Sequence, residues 1–557
     1  MSKKKELKVG LVGAAGRGGN FANSFTVNGA RIHAVCDIRK DKLAECAARL
    51  GAAETYSDYD KMLEKSDLDA VFIGTPMPLH VPQSIKALQH GLHVLCEVPA
   101  AVSIDECKAL VSACRKSKAV YMMSENYCYA RMCSVLRELA RQGLFGDMFY
   151  AEGEYLHELK QMNEDTPWRR KWQTGIDGCT YGTHSLGPIL QWMAGDRVAR
   201  VSCMGAGHHY RDPRGEFYHE ESPVMMCKTE KGALIKIRVD MISDRPHAMG
   251  NMQIQGTDGA FESGRGGPCD RSKIWLRSLS KQVKWHDFEE LAEIDEFAKR
   301  YVPDYWREFT EQARRAGHGG GDYFIVRDFV RSIRKQMPCP IGIHEAMDMT
   351  LPGLVSQQSI LQRGAWLDVP DSRKWTDEPP YQQLHMVWPK RLLDSPPVPV
   401  VPKGYVLRQF QPKDMKQYIK LMDGAGFKGW TEQQVNNMIR NLLPDGFFVI
   451  EHKASHKLVA TTVAGHRHTP LHPFGGELGW VAGDPKHKGK GLGTAVCAAV
   501  TARFIRGGYK EIYLSTDDWR LPAIMVYLRL GYEPMLYADD MKKRWKAVCD
   551  KLGWPMK

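Results

Sequence analysis

A short glycine-containing run near the N-terminus has the residue types that hold a phosphate-bearing ligand. The run is Gly13-Ala14-Ala15-Gly16-Arg17-Gly18; it follows an apolar strand candidate at residues 9–12 and opens a helical pattern. Glycine at the first position permits a tight turn, and a small residue at the middle position lets the chain pass close to a pyrophosphate. Backbone N–H groups at the helix start then face the phosphates. This first glycine loop (residues 13–18) predicts a dinucleotide site.

A carboxylate stands where such a site would meet a ribose. Asp37 follows the second strand candidate, residues 32–36. At that position a carboxylate accepts hydrogen bonds from the adenosine ribose hydroxyls and repels a 2′-phosphate. The sequence therefore favours NAD over NADP, although the neighbouring Arg39 leaves NADP open.

A second glycine-rich run lies far along the chain. It follows a strand candidate at residues 477–482 and leads into an apolar helical segment at residues 495–506. Consecutive N–H groups at a helix start bind a pyrophosphate in the same way as the first loop. This second glycine loop (residues 488–494) reads Lys488-Gly489-Lys490-Gly491-Leu492-Gly493-Thr494.

The elements that carry these loops divide the chain into several domains, since 557 residues are too many for one hydrophobic core. Up to about residue 125, strand candidates such as Ala70–Ile73 and His93–Cys96 alternate with helical patterns such as Lys40–Leu50 and residues 82–90. That alternation predicts an α/β fold with a doubly wound parallel sheet.

The pattern of apolar and polar residues changes after residue 125. Longer alternating segments at residues 149–155, 233–241 and 251–255 are followed by helical segments at 302–336 and 344–363. Period-two alternation is typical of strands with one buried face. Residues 126–375 are therefore predicted to form an α+β domain with an open, mostly antiparallel sheet.

Proline marks the next boundary. Residues 376–404 contain Glu378-Pro379-Pro380 and the proline-rich run 395–402, and a new α/β pattern begins at Tyr405. Proline at this density favours an extended linker over a helix or a central strand. The sequence thus predicts domains at 1–125, 126–375 and 405–557, with a linker at 376–404.

The composition argues against several classes of protein. Hydrophobic residues make up 43% and charged residues 25%, as in ordinary soluble domains. The net charge of +12 is spread along the chain, which argues against a nucleic-acid partner. No apolar run approaches a membrane span or a signal peptide, and the 14 scattered cysteines lack zinc-site spacing and suit reduced thiols in a cytoplasm.

Two further strand ends extend the first site into a family resemblance. Ile73-Gly74-Thr75-Pro76, with His80 after it, and Val94-Leu95-Cys96-Glu97-Val98-Pro99 resemble the corresponding segments of the Gfo/Idh/MocA oxidoreductases, which carry an NAD-binding Rossmann domain. In most of that group a lysine stands at the position of Val98 and serves hydride transfer at a sugar alcohol. The substitution argues against a plain sugar dehydrogenase.

One branch of the group shares this substitution. The motifs at residues 97–101, 122–129, 152–157, 181–188, 255–259 and 317–322, in that order, resemble the NAD-dependent α-N-acetylgalactosaminidases of glycoside hydrolase family 109 over roughly residues 7–370. The resemblance implies hydrolysis by a redox cycle: oxidation at C3 of the sugar, removal of the C2 proton, loss of the glycosidic oxygen, addition of water and re-reduction. NAD is then recycled.

The resemblance also implies roles for individual residues. It assigns Tyr155 to the C2 base and His184 to the neighbourhood of C3 and the leaving group, with Tyr181 beside it. A tyrosine base needs a lowered pKa, which a nearby cation such as the nicotinamide ring could supply. Weaker candidates for substrate contacts are Arg169, Arg245 and His247. The cofactor contacts fall on Gly13, Ala15, Gly16, Arg17, Gly18, Asp37, Thr75, Pro76, His80, Glu97 and Asn126.

The C-terminal runs resemble the GNAT acetyltransferases. The second glycine loop is similar to the family's pattern Arg/Gln-x-x-Gly-x-Gly/Ala, which cradles the pyrophosphate of acetyl-CoA, with Lys488 at the first position. Residues 520–532 are similar to N-x-x-A-x-x-x-Y-x-x-x-G-F/Y, with Arg520 in place of asparagine. The resemblance implies that Tyr527 protonates the leaving thiolate, and Glu477 is the candidate general base. Acetyl-CoA contacts fall on Lys488, Gly489, Gly491, Gly493 and Thr494.

These sites support a leading hypothesis and two alternatives. The leading one is a cytoplasmic bifunctional enzyme, an NAD-dependent glycosidase acting on N-acetylhexosaminides fused to an acetyl-CoA-dependent N-acetyltransferase. The alternatives are a sugar 3-dehydrogenase fused to an acetyltransferase, and a glycosidase with a non-catalytic acetyl-CoA-binding module. The expected partners are a small amino-sugar substrate and, from the family resemblance, further copies of the chain, but neither nucleic acid nor membrane.

Overall fold

The computed structural model describes residues 6–265, 270–280, 282–308, 310–376, 382–538 and 540–556. The chain divides into two compact units, an N-terminal unit, Met1–Thr376, and a C-terminal unit, Asp377–Lys557. Within the described ranges, no helix is both long and apolar enough to cross a bilayer. Nor do the described His, Cys, Asp and Glu residues form a group of three or more that could hold a metal ion.

The N-terminal unit begins with a six-stranded parallel sheet. Its order, β3-β2-β1-β4-β5-β6, is that of a doubly wound sheet, as predicted. The central strands are continuous apolar runs because helices cover both faces. The two three-residue strands were not predicted, since they are too short to show a periodicity. The strands are β1 Leu7–Val12, β2 Ala30–Cys36, β3 Glu54–Tyr56, β4 Ala70–Ile73, β5 His93–Cys96 and β6 Tyr121–Met123.

Helices connect the strands of this sheet. The helix predicted at Lys40–Leu50 has those bounds in the structure. Side chains cap two of the others: Asp58 accepts from the N–H of Lys61, and Ser103 accepts from the N–H of Glu106. The helices are α1 Arg17–Asn20, α2 Ala22–Val27, α3 Lys40–Leu50, α4 Tyr59–Lys65, α5 His80–Gln89, α6 Ile104–Lys116 and α7 Arg131–Arg141.

A nine-stranded sheet follows, in the order β14-β13-β12-β11-β7-β10-β9-β8-β15. Its pairs are antiparallel except β7 with β10, so the mostly antiparallel sheet was predicted correctly. The strands are β7 Met148–Leu156, β8 Val198–Met204, β9 Val224–Thr229, β10 Leu234–Asp240, β11 Ala248–Gly256, β12 Gly259–Glu262, β13 Lys273–Leu276, β14 His286–Asp287 and β15 Leu367–Asp368.

The helices of this part lie against the nine-stranded sheet and against the first sheet. Helix α10 contacts β7, and α16 contacts both β8 and α6. The helical pattern predicted at 302–336 is interrupted and resolves into separate helices. The helices are α8 Lys160–Asp165, α9 Trp168–Trp172, α10 Thr183–Trp192, α11 Phe288–Glu293, α12 Asp295–Tyr301, α13 Asp304–Arg307, α14 Glu311–Arg314, α15 Gly321–Lys335 and α16 Ile343–Leu361.

The C-terminal unit contains a seven-stranded sheet in the order β17-β18-β19-β20-β21-β16-β22. Its strands are β16 Leu384–Val387, β17 Tyr405–Gln409, β18 Leu442–His452, β19 Lys457–Gly465, β20 Gly475–Gly483, β21 Glu511–Thr516 and β22 Glu533–Met535. Its helices are α17 Met415–Gly424, α18 Glu432–Arg440, α19 Leu492–Arg506, α20 Leu521–Leu530 and α21 Met541–Leu552.

Strand β16 corrects the predicted linker at residues 376–404. The strand lies between β21 and β22 and pairs with both, and its side chains Leu384 and Met386 are fully buried. The linker prediction is therefore wrong for these four residues, because a short strand among prolines was hidden by the composition around it. Pro379 and Pro380 lie outside the described residues. Val398 and Val400, in the proline-rich run, are 79% exposed.

The position of β16 makes a stability prediction. Replacing Met386 with alanine leaves a cavity between two paired strands, so we expect the free energy of unfolding of the C-terminal unit to fall by about 2–5 kcal/mol. Calorimetry on the full chain measures this loss, and Val400→Ala is the matched control because that side chain is exposed. Equal unfolding transitions in both variants would contradict the placement of β16.

Candidate functional site

The first glycine loop joins β1 to α1 in a turn that needs glycine. Gly13 has a φ of +72°, and a Cβ there would lie 2.5 Å from the carbonyl oxygen of Gly74. A Cβ on Gly18 would lie 2.5 Å from the carbonyl oxygen of Val12. Contacts this short exclude any side chain. The loop is therefore held against the carboxyl ends of β1 and β4, where a doubly wound sheet binds its ligand.

Asp37, just after β2, is tied to the same loop. Its Oδ2 accepts from the N–H of Ala15 at 2.9 Å, and the Arg39 guanidinium donates to both oxygens at 3.0 Å. Burial alone would raise the pKa of Asp37, but the hydrogen bonds from Arg39 and Ala15 outweigh it and lower the pKa. The carboxylate is ionised at neutral pH and fits a ribose diol. The Arg39 side chain is 44% exposed, so it has room to turn aside.

Arg17 connects three elements around this edge of the sheet. Its Nε donates to Glu97 Oε1 at 2.6 Å, just after β5, and its two Nη atoms donate to the Asp322 oxygens at 2.9 and 3.1 Å, in the first turn of α15. A Cβ on Gly317 would lie 2.4 Å from Asp322 Oδ2, so a larger residue there would displace this carboxylate. Arg17 and Glu97, which were predicted to contact the cofactor, thus hold each other. Asp322 was missed as a site residue, although the motif at 317–322 signalled it.

The residues near β4 that were predicted to contact the cofactor differ in what their side chains do. Thr75 donates from Oγ1 to Gln83 Oε1 at 2.6 Å, next to Pro76. The ring of His80 is buried, with its nitrogens 2.8 Å from the carbonyl of Pro99 and 3.0 Å from that of Thr75. Burial lowers the pKa of His80, although the contacts with the two carbonyls oppose this shift. The side chain of His80 therefore supports two loops of the site and does not face a ligand.

Four aromatic rings meet beyond the carboxyl ends of β5 and β6. The ring of His184, in the first turn of α10, lies 4.5 Å from Tyr127, 5.1 Å from Tyr155 and 5.2 Å from Tyr181 between centroids. Tyr155 comes from β7, which carries its side chain to the same place. The structure thus brings together all three predicted residues, Tyr155, Tyr181 and His184. Tyr127 was not singled out, although it lies in the motif at 122–129.

Glu125 orients His184. The imidazole Nδ1 donates to Glu125 Oε1 at 2.6 Å, because a carboxylate only accepts. In the neutral ring Nε2 is then unprotonated. Glu125 is fully buried, its Oε2 makes no hydrogen bond to any described residue, and the same holds for the buried Oδ1 of Asn126. Buried polar atoms left without partners favour a polar ligand at this place. Glu125 lies within the motif at residues 122–129, and no role was predicted for it.

Tyr155 has a partner that was also missed. Its hydroxyl donates to Nδ1 of His157 at 2.9 Å, and the ring of His157 lies 4.5 Å from that of His247. Burial, together with the neighbouring His247 and Arg169, lowers the pKa of His157 to about 4. The ring is therefore neutral at neutral pH and accepts a hydrogen bond from the phenol.

The pKa of Tyr155 itself moves in the opposite direction from the one a base needs. Burial raises it, and the neighbouring Tyr181 and Tyr127 add to the rise, while Arg169 opposes it. The protein's own groups thus keep the phenol protonated at rest. Arg169 is the nearby cation, and it also donates to Gln173 at 2.6 Å. Arg245, another predicted contact, is exposed and donates to the carbonyl of Pro246.

The second glycine loop has the backbone that the pyrophosphate prediction requires. Gly489 and Gly491 have φ values of +83° and +75°, and neither has a heavy atom within 4 Å of its would-be Cβ. Gly491 caps α19, so Gly493 and Thr494 lie in the first turn of that helix. Consecutive free N–H groups at this turn fit an anion. Lys488, at the start of the loop, is exposed and adds a positive charge.

Strands β20 and β21 pair only briefly and then separate. Their parallel register runs from Gly475 with Glu511 to Glu477 with Tyr513 and stops there. Strand β20 is irregular beyond that point, and Trp480 has a φ of +52°. Glu477 therefore stands at the last pair before the strands separate. Its carboxylate accepts from Arg467 Nη1 at 3.2 Å and from Ser515 Oγ at 3.3 Å.

Helix α20 places the predicted thiolate acid. Tyr527 is 5% exposed, and burial raises its pKa well above the ordinary value, so the phenol carries its proton at neutral pH. Arg520, at the start of α20, donates to Asp517 Oδ2 at 3.0 Å and lies 4.7 Å from the centre of the Phe427 ring. Arg520 occupies the position that is asparagine in the acetyltransferase motif, and its ion pair with Asp517 holds it there.

Three segments of the chain match models of known protein families. Residues 7–125 match the model of the oxidoreductase family with an NAD-binding Rossmann fold, residues 129–377 match the glycosyl hydrolase 109 C-terminal domain, and residues 415–532 match the acetyltransferase (GNAT) family. The resemblance seen in the sequence is thereby confirmed for all three segments.

Individual relatives match about two thirds of the chain. A glycosyl hydrolase family 109 protein of Saccharopolyspora erythraea is 29% identical over 398 residues, covering 66% of this chain and 83% of that protein. An alpha-N-acetylgalactosaminidase of Shewanella oneidensis is 27% identical over 402 residues, covering 66% and 85%. Among solved structures, levoglucosan dehydrogenase in complex with NADH and L-sorbose superposes with a TM-score of 0.56 at 19% identity, covering 66% of this chain and all of that one. This last likeness shows the fold.

The Asp37–Arg39 pair makes a prediction about the cofactor. Replacing Asp37 with alanine removes the charged acceptor for a ribose diol and frees Arg39, so we expect NAD binding to weaken about tenfold or more and NADP binding to tighten. Calorimetric titration of both cofactors measures this. Asp41→Ala, at an exposed carboxylate on α3, is the matched control. Unchanged NAD affinity in the Asp37 variant would show that the carboxylate does not face the ribose.

Proposed function

We propose that this chain, which joins an NAD-binding Rossmann domain and a glycosyl hydrolase 109 C-terminal domain to a GNAT domain, is a bifunctional amino-sugar enzyme. The N-terminal unit would cleave N-acetylhexosaminides and restore its NAD in each turnover. The C-terminal unit would transfer an acetyl group from acetyl-CoA to an amine. The observation that supports the first activity most strongly is the pairing of His184 with Glu125 and of Tyr155 with His157 in one aromatic cluster.

The first glycine loop and Asp37 would hold the cofactor, and bound NAD supplies a hydride acceptor and later a hydride donor for C3 of the sugar. His184 takes the proton of the C3 hydroxyl on Nε2, which the contact with Glu125 leaves unprotonated. The buried carboxylate stabilises the imidazolium that forms. Val98 is buried and apolar where most of the resembling oxidoreductases carry lysine, so His184 handles this proton in its place.

Tyr155 removes the C2 proton, which a ketone at C3 makes acidic. The phenol must first be ionised, which the positive charge of Arg169 favours and the nicotinamide ring of bound NAD would favour further, and its proton leaves by way of His157, 2.9 Å away. The exposed His247 lies beside His157 and gives that proton a route to solvent. Loss of the C2 proton expels the glycosidic oxygen at C1, which takes the proton held by His184. Water then adds at C1 while Tyr155 returns a proton to C2, and His184 takes the second proton of the water and gives it to the C3 oxygen when C3 is reduced again.

The carboxylates at this edge favour the redox cycle over direct displacement. Hydrolysis by displacement needs two carboxyl groups free to act as acid and as base or nucleophile. Glu97 is bound by Arg17 at 2.6 Å, and Glu125 is bound by His184 at 2.6 Å. Both are therefore committed to positioning other groups.

The glycosidase proposal is tested with a chromogenic α-N-acetylgalactosaminide. We expect release of the aglycone without accumulation of NADH, and a fall in kcat of about 10²–10⁴ in Tyr155→Phe with unchanged NAD binding. Tyr150→Phe, on the same strand with its hydroxyl bonded to Glu152, is the matched control and should keep its activity. NADH formed in stoichiometric amounts with product would instead show a sugar dehydrogenase.

The transferase proposal is tested with acetyl-CoA and D-galactosamine. Tyr527→Phe removes the proton donor for the thiolate, so we expect the rate of N-acetylation to fall about 10²-fold or more. Tyr532→Phe is the matched control, because Tyr532 is equally buried but its hydroxyl bonds Thr501 at 2.9 Å. A native chain that binds acetyl-CoA and acetylates no amine would be a binding module and would refute catalysis.

A further inference from the structure

A line of three polar side chains crosses one face of the C-terminal sheet. Nδ1 of His472 lies 3.0 Å from Glu511 Oε1, and Nε2 of His472 lies 2.9 Å from Nδ1 of His385. His472 is fully buried and His385 is half-buried. We call these three residues the histidine relay. His385 belongs to β16, the strand hidden in the predicted linker.

The carboxylate fixes the protons of the whole relay. Because Glu511 only accepts, Nδ1 of His472 donates to it, which leaves Nε2 of His472 as an acceptor in the neutral ring. Nδ1 of His385 must then donate to that nitrogen. The lone pair of His385 is therefore on Nε2, at the open end of the relay. A proton taken up there is stabilised through His472 by the charge of Glu511.

Stacking keeps the relay rigid. The ring of His472 lies 3.9 Å from that of Tyr513 with the planes 11° apart, and the ring of His385 stacks on the same tyrosine at 5.9 Å. A Cβ on Gly475 would lie 2.6 Å from the Tyr513 ring and 2.8 Å from His472 Cβ, so glycine at this position is what allows the stack. Stacking on Tyr513 limits the rotation of both imidazole rings and so fixes the direction of the free nitrogen of His385.

The open end of the relay lies beside the gap between β20 and β21. His385 is the cross-strand partner of Ser515, two residues beyond Tyr513, where the pairing of β20 with β21 stops. Directly paired side chains on one face are about 4.5–5.5 Å apart at Cβ. Ser515 in turn donates to Glu477 at 3.3 Å, so His385 and Glu477 flank the same hydroxyl.

Burial and nearby charges keep His385 unprotonated at neutral pH. Burial, together with His472 and Arg467, lowers its pKa to about 4, so its Nε2 is available to take up a proton. Glu477, the candidate base of the sequence analysis, is held by Arg467 and Ser515. Its carboxylate is thus placed to attract an ammonium group rather than to remove its proton.

We propose that His385 is the general base of the C-terminal unit, which rests on the acetyltransferase function proposed above, and that His472 and Glu511 position it. The acceptor's ammonium group loses one proton to Nε2 of His385, and the neutral amine forms the C–N bond with the acetyl carbonyl carbon. The C–S bond then breaks, and the sulfur takes a proton from Tyr527. The second proton of the amine restores Tyr527, and His385 releases its proton to solvent.

The catalytic test uses the full chain with acetyl-CoA and D-galactosamine. His385→Asn keeps an N–H donor near the position of Nδ1 but removes Nε2. We expect kcat/KM for the amine to fall about 10²–10⁴-fold with an unchanged KM for acetyl-CoA, and the loss to shrink as rising pH deprotonates the amine. His456→Asn, at an exposed histidine of the same unit, is the control. Native kcat/KM in His385→Asn would overturn the proposal.

The positioning residues are tested through the pH profile. In Glu511→Gln the relay loses its negative charge, which lowers the pKa of His385, so the acidic limb of the rate profile should move to lower pH. A merely structural role of Glu511 would reduce activity equally at every pH. An unmoved acidic limb would therefore remove Glu511 from the relay.

Chemical modification tests the histidine relay independently of which amine is the acceptor. Diethyl pyrocarbonate acylates unprotonated imidazole nitrogens, so at pH 6 we expect peptide mass spectrometry to find His385 of the native chain modified. An unmodified His385 under conditions that modify the exposed His456 would overturn the relay whatever the acceptor is. Modification of His385 without turnover of D-galactosamine would support the relay and contradict the amino-sugar acceptor.

Discussion

The buried contact between Glu125 and His184 is the constraint on which the N-terminal site depends. Glu125 follows the last strand of the parallel sheet, and His184 lies in the first turn of α10, which packs on the nine-stranded sheet. Removing a carboxylate from water costs several kcal/mol unless hydrogen bonds replace the lost solvent. The imidazole and the N–H of Tyr127 replace part of it. The contact therefore links the two sheets and fixes which nitrogen of His184 faces a ligand.

The C-terminal unit also contains a histidine whose protonation pattern is fixed by a carboxylate. In both units a carboxylate determines the tautomer of a histidine and leaves Nε2 free at the open end, directly in His184 and through His472 in His385. The proposed chemistries are also related, since both involve an acetylated amine. One unit would act on N-acetylhexosaminides, and the other would form an N-acetyl group.

Much of the fold could be predicted from the sequence because many of its helices are periodic and many of its strands are continuous apolar runs. Lys40–Leu50 and His93–Cys96 have the predicted bounds, while β3 and β6, with three residues each, leave no periodic signal. Strand β16 was missed because proline dominates the composition around four residues whose burial depends on distant strands.

The site could be predicted only in part, because a sequence motif shows neighbouring residues but not their distant partners. The motifs named Tyr155, Tyr181 and His184, and these residues do meet. Their partners Glu125 and His157, and the anchor Asp322 of Arg17, received no role because hydrogen bonds between distant residues leave no local pattern. The shift in the pKa of Tyr155 likewise depends on burial by several elements, which spacing along the chain does not record.

The proposed hydrolysis in the N-terminal unit differs from direct displacement in that the C2 proton of the sugar is removed and replaced. Hydrolysis of an N-acetylgalactosaminide in D2O, followed by mass spectrometry and NMR of the released sugar, tests this directly. We expect one deuterium at C2, introduced when water adds back across C1 and C2. A released sugar with only hydrogen at C2 would show direct displacement at C1 and would rule out removal of the C2 proton.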